Sequence, residues 1–377
     1  TEPVRPLADA AAASLPVSLT MLDGLDGVLA PAVADAADRA ALIEVARDAL
    51  VGFGDVLSLM DERDAFRDQA GVGRDLFERL LHTAHMIQDG ADQLFRWAED
   101  AHREARTAIE AMVGSGGGGD RGAAASLGGD ASDESLRRVY EDELDAVRRF
   151  IARHDIIRDT GVPVRIVPTP GWLRASIPLA AYDAAGPSAR RQAGTLYVTR
   201  APSGPALSSV VTHEVVPGHH HQMAVAGALP RVMRRVVASA AAREGWACYA
   251  DRVMDESGFF ATPEAKLMRA RDASWRTARV MLDVSLHVRG MTPSAAERWM
   301  CDAIGLDAAL ARSEVVRACA RPTHLSAGAI GQREILALRS DARRAWGGDF
   351  SLLRFHDELL RYGAYPTALA RWGMGLA

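Results

Sequence analysis

The residues best suited to chemistry lie in one short segment, residues 212–222, which holds one glutamate and four histidines. The segment begins like the HExxH helix of zinc proteases, in which two histidines one turn apart bind zinc and the intervening glutamate acts as a base. Here Pro217 and Gly218 stand where the second histidine of that motif would fall. His213 and Glu214 therefore predict a zinc ligand and a general base, in a helix whose geometry differs from the standard one.

The second histidine ligand has two candidates. Pro217 lacks the N–H that a helix needs at this position, so the helix should bulge or break there and bring His219 to the place of the missing ligand. In an undistorted helix His220 shares a face with His213, but it lies about 10 Å further along the axis at a rise of 1.5 Å per residue. We expect His219 to be the ligand and keep His220 open.

A third ligand is expected from the next helix. Glu244 precedes Trp246 and Tyr249 in a largely apolar stretch, where a carboxylate is costly unless it is paired or bound to a metal. Two histidines and one glutamate leave the fourth position of a zinc ion for water or substrate, as in catalytic sites. Asp251, two turns later on the same face, is expected either to orient a ligating histidine or to face solvent.

The same residues also have a plainer interpretation. Three adjacent histidines can form an incidental metal-binding tract at a surface, a His-Glu pair is frequent by chance, and an isolated helical glutamate usually faces solvent. Cys248, Cys301 and Cys319 are widely spaced and fit no CxxC pattern, so the sequence offers no thiolate zinc site. Any metal in this chain must use nitrogen and oxygen ligands.

Composition excludes several classes of partner. Apolar residues make up 48% of the chain and charged residues 25%, with a formal net charge of -5, so we expect no nucleic-acid partner. No apolar run reaches the roughly 18 residues of a membrane span, so we expect no membrane partner. Nothing resembles a signal peptide, so a cytoplasmic location is the default, although a leader removed before Thr1 stays open. The oligomeric state is left open.

The spacing of apolar residues predicts a mainly α fold, strictly α+β with a very small sheet. Residues 1–113 are interpreted as an N-terminal helical scaffold, 114–135 as a glycine-rich flexible loop or linker, and 136–377 as the zinc-binding catalytic region. We expect the two helical parts to pack as one globular unit. Two stretches rich in β-branched residues, 164–167 and 195–199, predict short strands.

The two chemical segments together resemble a known family. HEVVPGHHHQ at 213–222 and EGWACYAD at 244–251 are similar to the HExxPGHHxQ and EGWAxYxE signatures of the bacterial domain-of-unknown-function-885 family, which is grouped with gluzincin-type zinc metallopeptidases. Later blocks, such as GQREI at 331–335, also look like that family. The resemblance runs from about residue 137 to the C-terminus and, more loosely, from residue 71. It implies a gluzincin-like helical architecture and zinc as the cofactor.

Position by position, the resemblance implies the same ligands and base as the residues themselves. It adds a block similar to the family's R-x-x-x-D-x-x-x-H pattern, formed here by Arg279, Asp283 and His287 along one helical face. From it we expect a substrate-binding role for Arg279 and a catalytic role for His287. The alternative is a buried Arg–Asp–His cluster that holds helices together.

One departure from the family bears on the chemistry. Members usually carry a tyrosine, and often a lysine, where this chain has Gly328 and Ala329. A tyrosine there would be a natural donor to the oxyanion formed on a polarised carbonyl. His324 is the candidate that compensates, and we expect it to bind substrate.

These observations favour a zinc-dependent hydrolase that cleaves a peptide or amide bond. In such an enzyme zinc polarises the carbonyl, zinc-bound water is the nucleophile, and Glu214 accepts the proton and passes it to the leaving amine. One alternative is a specialised biosynthetic zinc enzyme or amidase acting on a small metabolite, motivated by the missing tyrosine. Another is a degenerate metal-binding scaffold without activity.

Overall fold

The computed structural model describes residues 3–63, 66–114, 132–174, 177, 179–184, 186, 193–202 and 204–376. These residues form a mainly helical protein with one small sheet, which confirms the predicted fold class. The helices are α1 (Arg5–Asp23), α2 (Leu25–Leu29), α3 (Ala36–Glu62), α4 (Arg74–Leu80), α5 (Ala91–Gly114), α6 (Asp133–Arg153), α7 (Pro205–Glu214), α8 (His219–Ala228), α9 (Val232–Val236), α10 (Ala240–Glu256), α11 (Pro263–His287), α12 (Pro293–Ile304), α13 (Ala308–Ala320), α14 (Ala327–Trp346), α15 (Leu352–Leu360) and α16 (Thr367–Gly373).

The described part of the chain has three strands. They are β1 (Val164–Pro168), β2 (Ala180–Asp183) and β3 (Gly194–Val198), in the order β1-β3-β2, with β1 parallel and β2 antiparallel to β3. The two predicted strands are confirmed to within one residue at each end. The edge strand β2 was not predicted, because its sequence AAYD has little of the β-branched character on which such predictions depend.

A close helix crossing forms the centre of the molecule. Helices α10 and α14 meet at Gly245 and Gly331, where the backbones approach so closely that a Cβ on Gly331 would overlap the carbonyl oxygen of Ala241. Glycine is the residue that permits such an approach. The crossing therefore fixes the position of Glu244, the residue before Gly245, relative to α14.

The hydrophobic core is divided among several helices. The largest cluster packs Trp246 and Tyr249 of α10 against Phe355 of α15, α6 and the sheet. Helix α11 contributes Leu282 to a second cluster with α12 and α13, and Val280 to a third with α4 and α5. The N-terminal helices therefore pack against the C-terminal region through α11.

Two expectations from the sequence meet the limits of the described residues. The predicted flexible loop at 114–135 lies largely outside them, since residues 115–131 are not described and residue 133 already begins α6. The division into a scaffold and a catalytic region stays a prediction. None of the helices in the described ranges combines the length and the apolar character that crossing a membrane demands.

Candidate metal centre

The expected break in the histidine helix is present. Helix α7 ends at Glu214 and α8 begins at His219, and the four residues between them form a tight connection with a cis peptide bond before Pro217. The indole Nε1 of Trp246 donates to the carbonyl oxygens of Pro217 and Gly218 at 2.8 and 3.2 Å. A Cβ on Gly218 would overlap the carbonyl oxygen of His213. Glycine is thus required where the chain folds back on the end of α7.

The break brings three potential ligands together. One ligand atom each from His213, His219 and Glu244 lies within 4.8 Å of the others. The Nε2 atom of His219 is 3.5 Å from Oε2 of Glu244. Two atoms that each bind a tetrahedral zinc at about 2.1 Å lie about 3.4 Å apart, so this pair has the spacing of two ligands on one ion. The donor set of two imidazoles and one carboxylate fits zinc.

Asp251 holds the first ligand in position. Its side chain is fully buried, and Oδ2 lies 3.1 Å from Nδ1 of His213 and 2.7 Å from a guanidinium nitrogen of Arg276. Thr212 donates to the other carboxylate oxygen at 2.9 Å. Although burial alone raises the pKa of Asp251, the cation of Arg269 and the imidazole of His213 hold that pKa well below its usual range. The ionised carboxylate accepts the Nδ1–H of His213 and leaves Nε2 free for an ion. Of the two alternatives expected for Asp251, the one in which it faces solvent is wrong.

The other two ligands are coupled electrostatically. Burial opposes ionisation of Glu244, but the neighbouring His219 and His213 hold the pKa of its carboxyl well below the usual range. Burial lowers the pKa of His219, but the carboxylate of Glu244 outweighs burial, so the pKa of His219 is raised. Nδ1 of His219 is buried without a hydrogen-bond partner among the described residues. The carboxylate of Glu244 therefore stays ionised beside two imidazoles.

Glu214 lies beside this triad. It is the residue after His213 at the end of α7, and its Oε2 accepts the backbone N–H of Tyr182 at 3.0 Å. Tyr182 belongs to the edge strand β2, so the sheet fixes the orientation of the Glu214 carboxylate. Glu214 lines the same cavity as His213 and Glu244.

His220 lies outside the group of ligands. Its Nδ1 is 3.1 Å from the hydroxyl of Tyr182 and its Nε2 is 2.9 Å from the carbonyl oxygen of Val162. Both ring nitrogens are therefore engaged, and the ring is buried against β2. The break in the helix turns His219 toward His213 and turns His220 away, which removes His220 from the expected ligands.

A cavity of about 600 Å³ opens over the centre. This volume is in the range of sites for small molecules and short peptide segments. Both residues expected to bind substrate, Arg279 and His324, contribute to its lining. The other polar residues of the lining are Ser209, His213, Glu214, Glu244, Cys248, Asp272, Trp275, Arg276, Arg317 and Arg321.

His287 does not reach this cavity. Its ring is fully buried, stacks on Phe77, and places Nε2 3.0 Å from the carbonyl oxygen of Ala318 and 3.5 Å from Asp283. The catalytic role expected for His287 is withdrawn, because the ring is enclosed between helices and does not line the cavity. The alternative, a buried cluster that holds helices together, describes Asp283 and His287, whereas Arg279 separates from them and faces the cavity.

Sequence reasoning missed several residues of the cavity wall. Arg317 and Arg321 lie one turn apart at the end of α13, and Arg276 contacts Asp251 from α11. The spacing of the first two indicates a shared helical face, but no local signal tells which element that face meets. Gly328 and Ala329, which replace the family's tyrosine and lysine, also line the cavity.

Comparison with known proteins agrees with this architecture. The sequence model of a family described as a bacterial protein of unknown function (DUF885) matches residues 4–374. A Shewanella oneidensis protein described as a candidate lipoprotein of unknown function is similar in structure, with a TM-score of 0.75 and 20% identity over 99% of this chain and 74% of that one. A candidate lipoprotein from Colwellia psychrerythraea gives a TM-score of 0.80 and 20% identity over 90% of this chain and 62% of that one. No curated protein matches the sequence significantly. At this identity the two structures show a shared fold.

Proposed function

The chain belongs to the bacterial family of unknown function DUF885, and from the geometry of its centre we propose that it is a zinc-dependent hydrolase of peptide or amide bonds. The observation that carries this proposal is the convergence of His213, His219 and Glu244 on one point. A structural zinc site closes all four positions with protein ligands, whereas this donor set leaves one open. Two of the three residues that would hold the ion, His213 and Glu244, line a cavity that also contains the carboxylate of Glu214.

The protein's own residues divide the work of hydrolysis. A zinc ion held by the triad supplies a Lewis acid for the carbonyl and acidifies water. Glu214, held by the N–H of Tyr182, accepts the proton of the attacking water and later delivers it to the leaving amine. Asp251 fixes the tautomer and orientation of His213 throughout.

The lack of a hydroxyl donor at one wall supports a second candidate, an amidase or biosynthetic enzyme for a small metabolite. A Cβ built on Gly328 would lie 3.0 Å from Sγ of Cys248, so the thiol occupies the space where a longer side chain would begin. The neutral donors in the lining are Ser209, Trp275 and His324. A single small substrate bound in one orientation depends less on a general oxyanion donor than a series of peptides does.

Metal content and turnover test the proposal together. We expect one zinc per chain by elemental analysis, and loss of zinc from His213→Ala. Glu214→Gln should keep the zinc and lose about 100-fold to 10,000-fold in rate, since this is the usual contribution of a general base. The matched control is Glu358→Gln, an exposed glutamate paired with Arg361, which should change neither quantity.

A mixed peptide library and a panel of N-acylated small metabolites distinguish the two enzymatic candidates. Hydrolysis of library peptides supports the peptidase, and turnover confined to one acylated metabolite supports the second candidate. Wild-type rates in Glu214→Gln on the true substrate would eliminate the assigned base. Sub-stoichiometric zinc, with no stabilisation on adding it, would favour the degenerate scaffold expected as the last alternative.

The cellular location is a separate proposal. The two structural neighbours are described as candidate lipoproteins, which favours a location outside the cytoplasm over the cytoplasmic default expected from the sequence. Fractionation of cells that express the full natural gene tests this, because a periplasmic or membrane-associated fraction would overturn the cytoplasmic expectation. Recovery only with cytoplasmic markers would support it.

A further inference from the structure

The end of helix α13 presents an unusual concentration of positive charge to the cavity. Arg317 lies in the last turn of α13, and Arg321 is the first residue after the helix. Both line the cavity together with Arg279 of the neighbouring helix α11. Three guanidinium groups from two elements thus share one wall.

The protein supplies too little negative charge to neutralise this wall. Glu314 is fully buried and accepts two hydrogen bonds from Arg279, at 2.5 and 2.9 Å, while its Oε1 also contacts Arg317. One carboxylate therefore serves two guanidiniums. In the described ranges no carboxylate lies within ion-pair distance of Arg321. Of the three acids in the lining, Asp272 is engaged by Arg269 at 3.0 Å, Glu244 belongs to the ligand triad, and Glu214 accepts the N–H of Tyr182.

Arg279, which is half-buried, and Arg317, whose side chain is 53% exposed, are both charged. Burial lowers the pKa of Arg279 and of Arg317 to about 10, and repulsion from a neighbouring arginine adds to the effect in both. Both groups stay protonated at neutral pH. Arg279, Arg317 and Glu244 line the same cavity, and the carboxylate of Glu244 raises the pKa of both arginines. A substrate in the cavity can therefore meet the ligand triad and this wall at once.

The segment after α13 is held rigidly. Thr323 adopts a positive φ of 70°, a conformation that is strained for a β-branched residue. The buried carboxylate of Asp283 accepts hydrogen bonds from the backbone N–H of Thr323 and from both the N–H and the hydroxyl of Ser326. His85 contacts the hydroxyl of Thr323 at 3.1 Å. Strain of this kind persists where the surrounding structure determines it and is frequent at ligand sites.

Helix stability alone does not account for this arrangement. Basic residues in the last turn of a helix interact favourably with the helix dipole, which is a sufficient reason for one arginine near the end of α13. It gives no reason for Arg279 of a different helix to lie beside Arg317, and the single carboxylate of Glu314 between them leaves the pair with a net positive charge. An anionic ligand in the cavity offsets that excess charge.

We propose that Arg279, Arg317 and Arg321 form a subsite that binds a carboxylate of the substrate. Guanidinium groups match the planar carboxylate with two parallel hydrogen bonds, and partial burial strengthens such bonds. As a statement about catalysis this inference rests on the proposed hydrolase function: the substrate is an amide that carries a free carboxylate within reach of its scissile bond. The carboxylate belongs either to a C-terminal residue, which gives exo-cleavage, or to an acidic side chain.

Calorimetric binding to the Glu214→Gln protein tests the subsite without requiring turnover. The probes are N-acetyl-dialanine with a free carboxylate, its C-terminal amide, and the α-amide of N-acetyl-alanyl-glutamate. Each titration is run with zinc and again with a chelator, so that a carboxylate bound only to the ion is recognised. We expect the free acid to bind about tenfold more tightly than the neutral amide under both conditions, as for a charge-assisted hydrogen bond.

The arginine variants test whether these side chains cause the preference for the free acid over the amide. Arg321→Gln and Arg317→Gln should each remove much of the preference for the free acid, and the double variant should remove more of it than either single variant. Arg321→Lys should keep part of it, since lysine retains the charge without the planar fork. The matched control is Arg312→Gln on the same helix, which pairs with Asp9 and lies outside the cavity, and it should keep the full preference.

The outcomes separate this inference from the hydrolase proposal. Equal binding of acid and amide, no binding of either, or a preference that is unchanged in the double variant overturns the subsite even if the protein hydrolyses amides. A preference that depends on Arg317 and Arg321 supports the subsite even if no turnover is found. Tight binding of the α-amide of N-acetyl-alanyl-glutamate indicates that the subsite takes a side-chain carboxylate. If this probe does not bind but N-acetyl-dialanine binds tightly, the subsite takes a C-terminal carboxylate.

Discussion

Replacing Asp251 by asparagine tests how the centre is organised. The fully buried carboxylate accepts hydrogen bonds from Thr212 and Arg276 and contacts Nδ1 of His213. Asparagine has nearly the same shape but has one acceptor oxygen, and its NH₂ group would face groups that are themselves donors. The ionic partner of Arg276 and the group that orients His213 are lost in a single substitution.

Two separate losses follow from this geometry. Outer partners of metal-ligating histidines are worth about 10-fold to 100-fold in metal affinity, so we expect zinc to bind about 1.4–2.7 kcal/mol more weakly. Removing one member of a buried ion pair costs about 3–5 kcal/mol, because the other charge remains buried and unpaired. The free energy of unfolding of the zinc-free protein should fall by an amount of this order.

Chelator competition measures zinc affinity, and urea denaturation in excess chelator measures stability without the metal. The matched control is Glu256→Gln on the same helix, whose partly exposed carboxylate pairs with Arg252 and Arg339. It should leave zinc affinity unchanged and cost at most about 1 kcal/mol, as is usual for ion pairs near the surface.

A folded Asp251→Asn protein that binds zinc with wild-type affinity would refute the reasoning. It would mean that Asp251 serves packing alone, or that His213 is not a ligand. If this variant does not fold, Thr212→Val tests the same chain of contacts, because it removes only the hydroxyl that donates to Asp251. We then expect zinc affinity to fall severalfold, and an unchanged affinity contradicts the proposed orientation.

Three further outcomes follow from the structure. His219→Ala should abolish stoichiometric zinc binding, whereas His220→Ala should keep it and lose stability only; the reverse result in elemental analysis contradicts the ligand choice. Gly331→Ala should destabilise the helix crossing by about 1–3 kcal/mol or more through overpacking, while Gly348→Ala, in open space, should be nearly neutral in urea denaturation. Burial lowers the pKa of His356 to about 4 from the ordinary 6.5, so the unfolded chain binds the proton more readily. Stability should therefore fall by about 2 kcal/mol from pH 7 to pH 5 on account of this residue, and the His356→Gln variant should lack that part of the slope.

The sequence was sufficient to predict those features that depend only on neighbouring residues along the chain. The break at Pro217 follows from a missing N–H, and it leads directly to the choice of His219 over His220. The β-rich stretches behind β1 and β3 are likewise local signals, and both strands were located correctly. Glu244 was found because a carboxylate in an apolar stretch needs a partner.

Other features depend on which helices pack against each other. Helical spacing placed Arg279 and His287 on one face. The two residues are eight positions apart, which is about 12 Å at a rise of 1.5 Å per residue, so they can lie in different environments. Only packing shows that α13 covers His287 and leaves Arg279 at the cavity. Arg317 and Arg321 gave no signal of their own, since arginines near a helix end are common.

The sequence by itself determined the candidate ligands, the position of the break between α7 and α8, and the mainly helical class, because these depend on the chemistry of single residues and on spacing within one element. Only the tertiary structure decided that Asp251 is buried against His213, that His287 is enclosed, and that three arginines meet across two helices. The physical reason is that burial and charge pairing arise between distant elements. Their energies depend on distances of a few ångströms that no local pattern specifies.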